Sequence, residues 1–131
     1  MAEHWSIKAT KQTPAINFDF ENHIPEIVGE SYPENITAFS VPLFSQLEQY
    51  LAKLQAQTFT VNIELIYFNS SSSKMLLDFF DLLETEAAER NGKIIVNWIY
   101  DVDNDSVKEY GEEFQEDLRA IVFNVVEKIH S

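Results

Sequence analysis

The sequence predicts a single α/β domain of the mixed α+β kind, a mixed β-sheet with an N-terminal hairpin and helices packed on it, spanning residues 1–131. Three observations carry that prediction. The second half alternates apolar period-two stretches with amphipathic stretches of helical period, as strands joined by crossover helices do. The N-terminal third holds only period-two patterns, the signature of hairpin strands. A chain of 131 residues, 45% hydrophobic, fills one core and is too short for two.

Trp5, Ile7 and Ala9 alternate with Ser6 and Lys8, a short first strand. Ile16, Phe18 and Phe20 alternate with Asn17, Asp19 and Glu21, a firmer second one. Glu21-Asn22-His23 reads as a tight turn into a return strand from Ile24 to Gly29, with Pro25 at an edge or at the strand's own beginning. Gly29 to Asn35 is a loop by composition.

A helix follows, with Phe39, Leu43, Phe44, Leu47, Tyr50, Leu51 and Leu54 on one broad face. Asn35 is available to cap it, and Pro42 either kinks it or marks a later start near Ser40. From Phe59 the chain alternates again, Val61, Ile63 and Leu65 against Thr60, Asn62 and Glu64. The run Leu65-Ile66-Tyr67-Phe68 then predicts burial on both faces. Met75, Leu76, Phe79, Phe80, Leu83 and Ala87 recur at helical spacing, and Arg90-Asn91-Gly92 stops that helix. Ile94, Val96, Trp98 and Tyr100 form another buried strand, and Val107, Tyr110, Phe114 and Leu118 stripe a short acidic helix. β-Branched residues favour a final strand from Ile121 to Glu127 over a helix.

Charge and composition narrow the function. The formal net charge of −13, from 22 acids against 9 bases, repels nucleic acid and anionic membranes and favours partners with basic patches. The chain has no cysteine, so neither a disulfide framework nor a thiolate metal site is available. Met1 to Trp5 lacks the features of a signal peptide and no stretch reaches the length of a membrane span, so a cytoplasmic location is expected.

Ser70, Ser71, Ser72 and Ser73 sit where a buried strand meets the start of a helix. Backbone N–H groups there lack intrahelical partners and the helix dipole is positive, so a serine hydroxyl can cap them or an anion can be held. Lys74 opposes the dipole and lies four residues after Ser70, placed to meet a phosphate there or an acidic group from a partner. Serines also simply suit helix starts.

Other constellations are weaker. Asp101-Val102-Asp103-Asn104-Asp105 with Glu112 has the spacing of a calcium loop, but Ser106 stands where a sharp turn needs Gly, Lys108 puts a cation inside, and a strand precedes it. An acidic helix start accounts for it better. The other class of function kept open is a small metal- or ligand-binding domain using Asp101, Asp103 and Glu112. His4, His23 and His130 lie far apart, the three glycines are unclustered, and the Asp78, Asp81 and Glu84 pairs sit on an exposed helix face. None of this argues for an enzyme.

The strand, polar residue, hydroxyl pair and helix around Asn69-Ser70 resemble the anti-sigma-factor antagonists of the STAS type. A closer resemblance is to the SiaC family of bacterial regulatory phosphoproteins. It rests on Gly29 to Asn35, Leu65 to Lys74 and Asp78 to Glu84, with support from Trp98 to Asp101 and Glu112 to Asp117, over roughly Thr13 to Glu127. The resemblance implies a STAS-like fold and a partner-switching adaptor in cyclic di-GMP signalling; no cofactor or metal is expected. The acceptor, typically Thr in the family, maps onto Ser70, with Ser71, Ser72 and Ser73 as the alternatives in the run. Asn69, Ser71, Ser72, Lys74, Asp78, Tyr32, Glu34 and Asn35 form the implied phosphate and partner surface. The implied partners are a Ser/Thr kinase of the histidine-kinase-like ATPase fold, a metal-dependent phosphatase and a diguanylate cyclase. The unphosphorylated form is expected to bind and activate the cyclase.

Overall fold

The computed structural model describes residues 4–19, 25–53, 58–89 and 93–128. Along the chain run β1 (His4–Ile7), β2 (Ala15–Asp19), β3 (Glu26–Ser31), α1 (Ile36–Lys53), β4 (Phe59–Phe68), α2 (Ser70–Glu89), β5 (Ile94–Tyr100), α3 (Asp105–Glu116) and β6 (Val122–Glu127). The strands form one six-stranded sheet in sequential order. β1, β2 and β3 pair antiparallel, whereas β3 to β6 pair parallel, each joined to the next through one helix. The mixed sheet and the final strand match the sequence reading. The turn at Glu21-Asn22-His23, Phe20, Leu54 and the helix stop at Arg90-Asn91-Gly92 lie outside the described residues.

Of four details, three differ from expectation, and the start of α1 bears out Asn35 as its cap. β1 ends at Ile7, short of Ala9, because the next connection is closed by Thr10, whose Oγ1 accepts from the backbone N–H groups of Gln12 and Thr13. β3 runs through Ser31, so Gly29, Glu30 and Ser31 are strand and not loop; parallel pairing with β4 satisfies their backbone despite their polar make-up. α1 begins at Ile36, and Pro42 lies inside it. Asn35 Oδ1 accepts from Ala38 N at 3.1 Å, a cap that starts the helix well before Ser40.

The fourth detail concerns β4. Gly29 pairs with Leu65 but Glu30 pairs with Tyr67, so Ile66 is an extra residue, a β-bulge. Gly29 has φ of +133°, a backbone state that side chains disfavour. The bulge breaks the alternation: Leu65 and Phe68 point inward, while Ile66 and Tyr67 are 61% and 53% exposed. The expected two-sided burial of Leu65 to Phe68 therefore fails at its two middle residues.

All three helices pack on one face of the sheet. Tyr50 of α1 meets Phe59, Phe44 of α1 meets Phe79 of α2, and Phe80 of α2 and Phe114 of α3 both meet Trp98. Trp98 is fully buried and its Nε1 donates to the carbonyl of Val107 at 2.8 Å. Each large side chain enclosed in this layer contributes about 1.5–3 kcal/mol of burial. On the opposite face Asn124 Nδ2 donates to Asn97 Oδ1 and Asn97 Nδ2 donates to Asn62 Oδ1, at 3.0 and 2.9 Å, a ladder across three parallel strands.

Candidate functional site

The carboxyl end of β3 leads through residues 32–35 into α1 and that of β4 through Asn69 into α2, which brings the starts of the two helices together. Asn69 organises the second start. Its backbone N–H donates to the carbonyl of Ser31 at 3.0 Å, and its Oδ1 accepts from Ser72 N at 2.9 Å. The cap of α2 is therefore Asn69, and the expectation that a serine hydroxyl caps the helix is corrected. Asn offers the same side-chain oxygen one residue earlier, before the helical backbone begins.

That geometry separates the four serines. Ser70 is the first helical residue and is exposed. Ser71 is half-buried and its Oγ donates to Asn69 Oδ1 at 3.1 Å. Ser72 is fully buried, with its Oγ 2.7 Å from the Oγ of Ser31, itself fully buried. Ser73 is half-buried, and its N–H donates to the carbonyl of Asn69 at 2.9 Å. Lys74 and Asp78 are exposed and, with Thr37, Ser40, Phe44 and Ser71, line a cleft of about 240 Å³ between α1 and α2.

The loop residues divide as well. Tyr32 is tied down by its N–H to Gln12 O at 2.7 Å and sets its ring edge-on to Tyr67, centroids 5.7 Å apart. Asn35 spends its side chain on the α1 cap, and Glu34 is exposed. The structure thus joins Asn69 and Ser72 to the end of β3, ties Ser71 to Asn69, places Ser71, Lys74 and Asp78 on the α1–α2 cleft, and uses Asn35 structurally.

The acidic segment is a turn. Asp101 Oδ1 accepts from Asp103 N at 3.0 Å, and Asn104 caps α3 through Val107 N at 3.3 Å while donating to Ile66 O at 3.0 Å. Glu112 stands on the exposed side of α3. Among the described residues no three His, Asp or Glu side chains converge on a point that would hold a metal ion, so the reading of Asp101, Asp103 and Glu112 as one centre is overturned. Residues His23 and His130 lie outside the described residues, as does the side chain of His4.

Sequence reasoning missed two groups. Ser31, 41 residues from Ser72, left no local signal of its buried partner. Glu84, taken as an exposed acid, accepts from the backbone N–H groups of Arg119, Ala120 and Ile121 at 2.8, 2.9 and 3.1 Å. Partial burial pushes its pKa up, but these three donors and the Arg119 charge outweigh it and hold the carboxyl below its ordinary value.

Among the described residues no helix is long and apolar enough to cross a membrane. A model of the SiaC family of regulatory phosphoproteins matches residues 7–128. The Pseudomonas aeruginosa (strain UCBPP-PA14) protein PA14_02130 is 37% identical over 111 residues, 85% of this chain and 86% of that one. SiaC of Pseudomonas aeruginosa is similar in structure, with a TM-score of 0.84 and 31% identity over 95% of this chain and 98% of that chain. A chain in the crystal structure of the diguanylate cyclase SiaD in complex with its activator SiaC, from the same species, gives 0.86 and 31% over 95% and 99%.

Proposed function

Because the chain belongs to the SiaC family of regulatory phosphoproteins, we propose that it is a phosphorylation-switched adaptor whose unphosphorylated form binds and activates a diguanylate cyclase. A dedicated Ser/Thr kinase of the histidine-kinase-like ATPase fold adds the phosphate and a metal-dependent phosphatase removes it. The likeness to the activator in the SiaD–SiaC complex supports the cyclase as the output.

Ser70 is the acceptor. The observation that carries this assignment is the unequal exposure of the four serines. Ser70 alone of the run is exposed at the helix start, whereas a kinase would have to open the core to reach Ser72. Phosphoserine carries about −1.5 to −2 charges, which the positive end of α2 and Lys74, one turn along, accommodate without refolding. A partner seated over this helix start would have to bury that dianion, and desolvation makes association fail. Asn69, Ser71, Tyr32 and Asp78 are the flanking contact residues.

Incubation with the cognate kinase and ATP, followed by intact-mass measurement and peptide mapping, tests the assignment. One phosphate on Ser70, lost in Ser70→Ala with cyclase binding retained, is the expected result. Phosphate mapping to Ser72 or Ser73 overturns it.

A further inference from the structure

We propose that the carboxyl edge of the parallel sheet, between Ile66 and Tyr110, is the docking surface for a basic amphipathic helix of a partner protein, an apolar ridge flanked on both sides by Lys or Arg. This deepens the adaptor reading and rests on it only for which protein carries that helix.

Three adjoining hollows define the surface. The central one, about 340 Å³, is lined by Ile66, Tyr67, Phe68, Asn104, Ser106, Val107 and Tyr110. A second, about 360 Å³, shares Ile66 and Asn104 with it, adds Leu65 and Ile99, and carries the charged Glu64, Asp101, Asp103 and Lys128. A third shares Ser106 and Tyr110 with the central hollow and adds Glu109 and Glu113. The order across the surface is therefore acidic, apolar, acidic. Lys128 neutralises Glu64, to which its Nζ is bound at 2.7 Å, and the carboxylates of Asp101 and Asp103 still outnumber it, so the first end stays net acidic.

The apolar centre is built, not incidental. The bulge opposite Gly29 turns both Ile66 and Tyr67 outward, where unbroken alternation would expose one. Asn104 fixes the bulge by donating to Ile66 O, and Phe68 holds the Tyr110 ring at 4.9 Å between centroids. Single exposed apolar residues are ordinary, but a contiguous patch with a polar rim marks a contact surface.

The rim decides the occupant. Carboxylates on both flanks complement Lys and Arg and, with a net charge of −13, repel lipid headgroups and nucleic acid phosphates. An apolar strip between two acidic flanks fits a helix whose ridge enters the centre while cations on either side reach the acids. A phosphate on Ser70, two residues beyond Phe68, acts at the border of this surface through bulk and desolvation, not through the sign of its charge.

The probe is a synthetic helical peptide with a Leu ridge flanked by Lys, beside a twin flanked by Glu. Amide chemical shifts on titration with the Lys peptide should move at Ile66, Tyr67, Asn104 and Tyr110, and binding should weaken as salt rises. Ile66→Ser should lose about fivefold or more in affinity with an unchanged thermal midpoint, its side chain being exposed. Asp103→Asn with Glu109→Gln should weaken binding and flatten its salt dependence. No binding of the Lys peptide, equal binding of the Glu twin, or shifts confined to the α1–α2 cleft or the Asn62–Asn124 face overturns the proposal. The cyclase is the second probe. If phosphorylation at Ser70 leaves cyclase binding intact while Ile66→Ser abolishes it, the switch falls and the docking surface stands. If phosphorylation releases the cyclase and Ile66→Ser does not, the surface falls and the switch stands.

Discussion

Replacing Gly111 by Ala sets two rules of thumb against each other. In an isolated helix the change is favourable, because Ala exceeds Gly in helix propensity by about 1 kcal/mol. In this protein α3 lies so close to the sheet that a Cβ at position 111 would stand 2.3 Å from Trp98 Cδ1 and 2.7 Å from Trp98 Nε1. Either the indole or the helix must move. The indole is enclosed by Phe68, Phe80, Phe114 and Phe123, so it has little room to swing. Overpacking of a filled core costs about 1–3 kcal/mol. Loss of the buried Nε1 bond to Val107 O adds about 1–3 kcal/mol. Less the propensity gain, the expected net loss is about 3 kcal/mol, or roughly 10 °C in thermal midpoint for a domain of this size. The assay is thermal unfolding together with tryptophan emission in a Trp5→Phe background, which leaves Trp98 as the reporter. A lower midpoint with a red shift of Trp98 emission is expected. An unchanged or raised midpoint would refute the close seating of α3 on Trp98, and with it the placement of Tyr110 and Asn104 beside Ile66.

Three further outcomes follow from the geometry. Ser72→Ala strands the hydroxyl of Ser31 in the core and should cost about 1–2 kcal/mol, while adding Ser31→Ala should cost less than the sum of the two; strict additivity in a double-mutant cycle would deny the pair. Glu84→Gln should lose about 1 kcal/mol at neutral pH, a figure reduced for the carboxylate's exposure to solvent. The Glu84 carboxyl is held below its ordinary value in the folded state, so its stabilisation is present above the unfolded value and fades as pH falls through the folded one; the gap to Glu84→Gln should close in acid, and a gap that widened there would reverse the argument. Ser70→Asp should weaken cyclase binding and leave circular dichroism and thermal midpoint nearly unchanged, since the side chain is exposed at a helix start that favours an anion; if phosphoserine itself left binding undiminished, the switch mechanism would be wrong.

Legibility in the sequence tracked the range of the interactions. The alternation from Phe59 to Leu65 and the stripe from Met75 to Leu83 announce themselves, because burial on one face imposes a local period. Local chemistry failed where a distant strand supplied the partner. Glu30 and Ser31 read as loop until β4 pairs with them, and Ile66 and Tyr67 read as buried until the same pairing slips by one residue. Gly29, set between Val28 and Glu30 in a strand pattern, was the one available hint of a bulge. At the candidate site the position of the serine run was visible, but its division was not: only the buried contact between Ser31 and Ser72 tells Ser72 from its neighbours. Asn35 belonged to a motif shared with the family, yet its side chain serves the start of α1.

The asparagine ladder solves a problem of alignment that the turns cannot. In an antiparallel hairpin a short turn sets which residues face each other, but parallel strands are joined by helices too long to dictate that choice. Along β4, β5 and β6 the inward side chains are all apolar and would tolerate a shift of two residues. Asn62, Asn97 and Asn124 would not, since such a shift sets Ile95 or Ile99 against Asn62 and breaks a side-chain bond worth about 1 kcal/mol. The row works as a vernier mark: one line of amides, drawn across three strands, reports whether the sheet has closed in step.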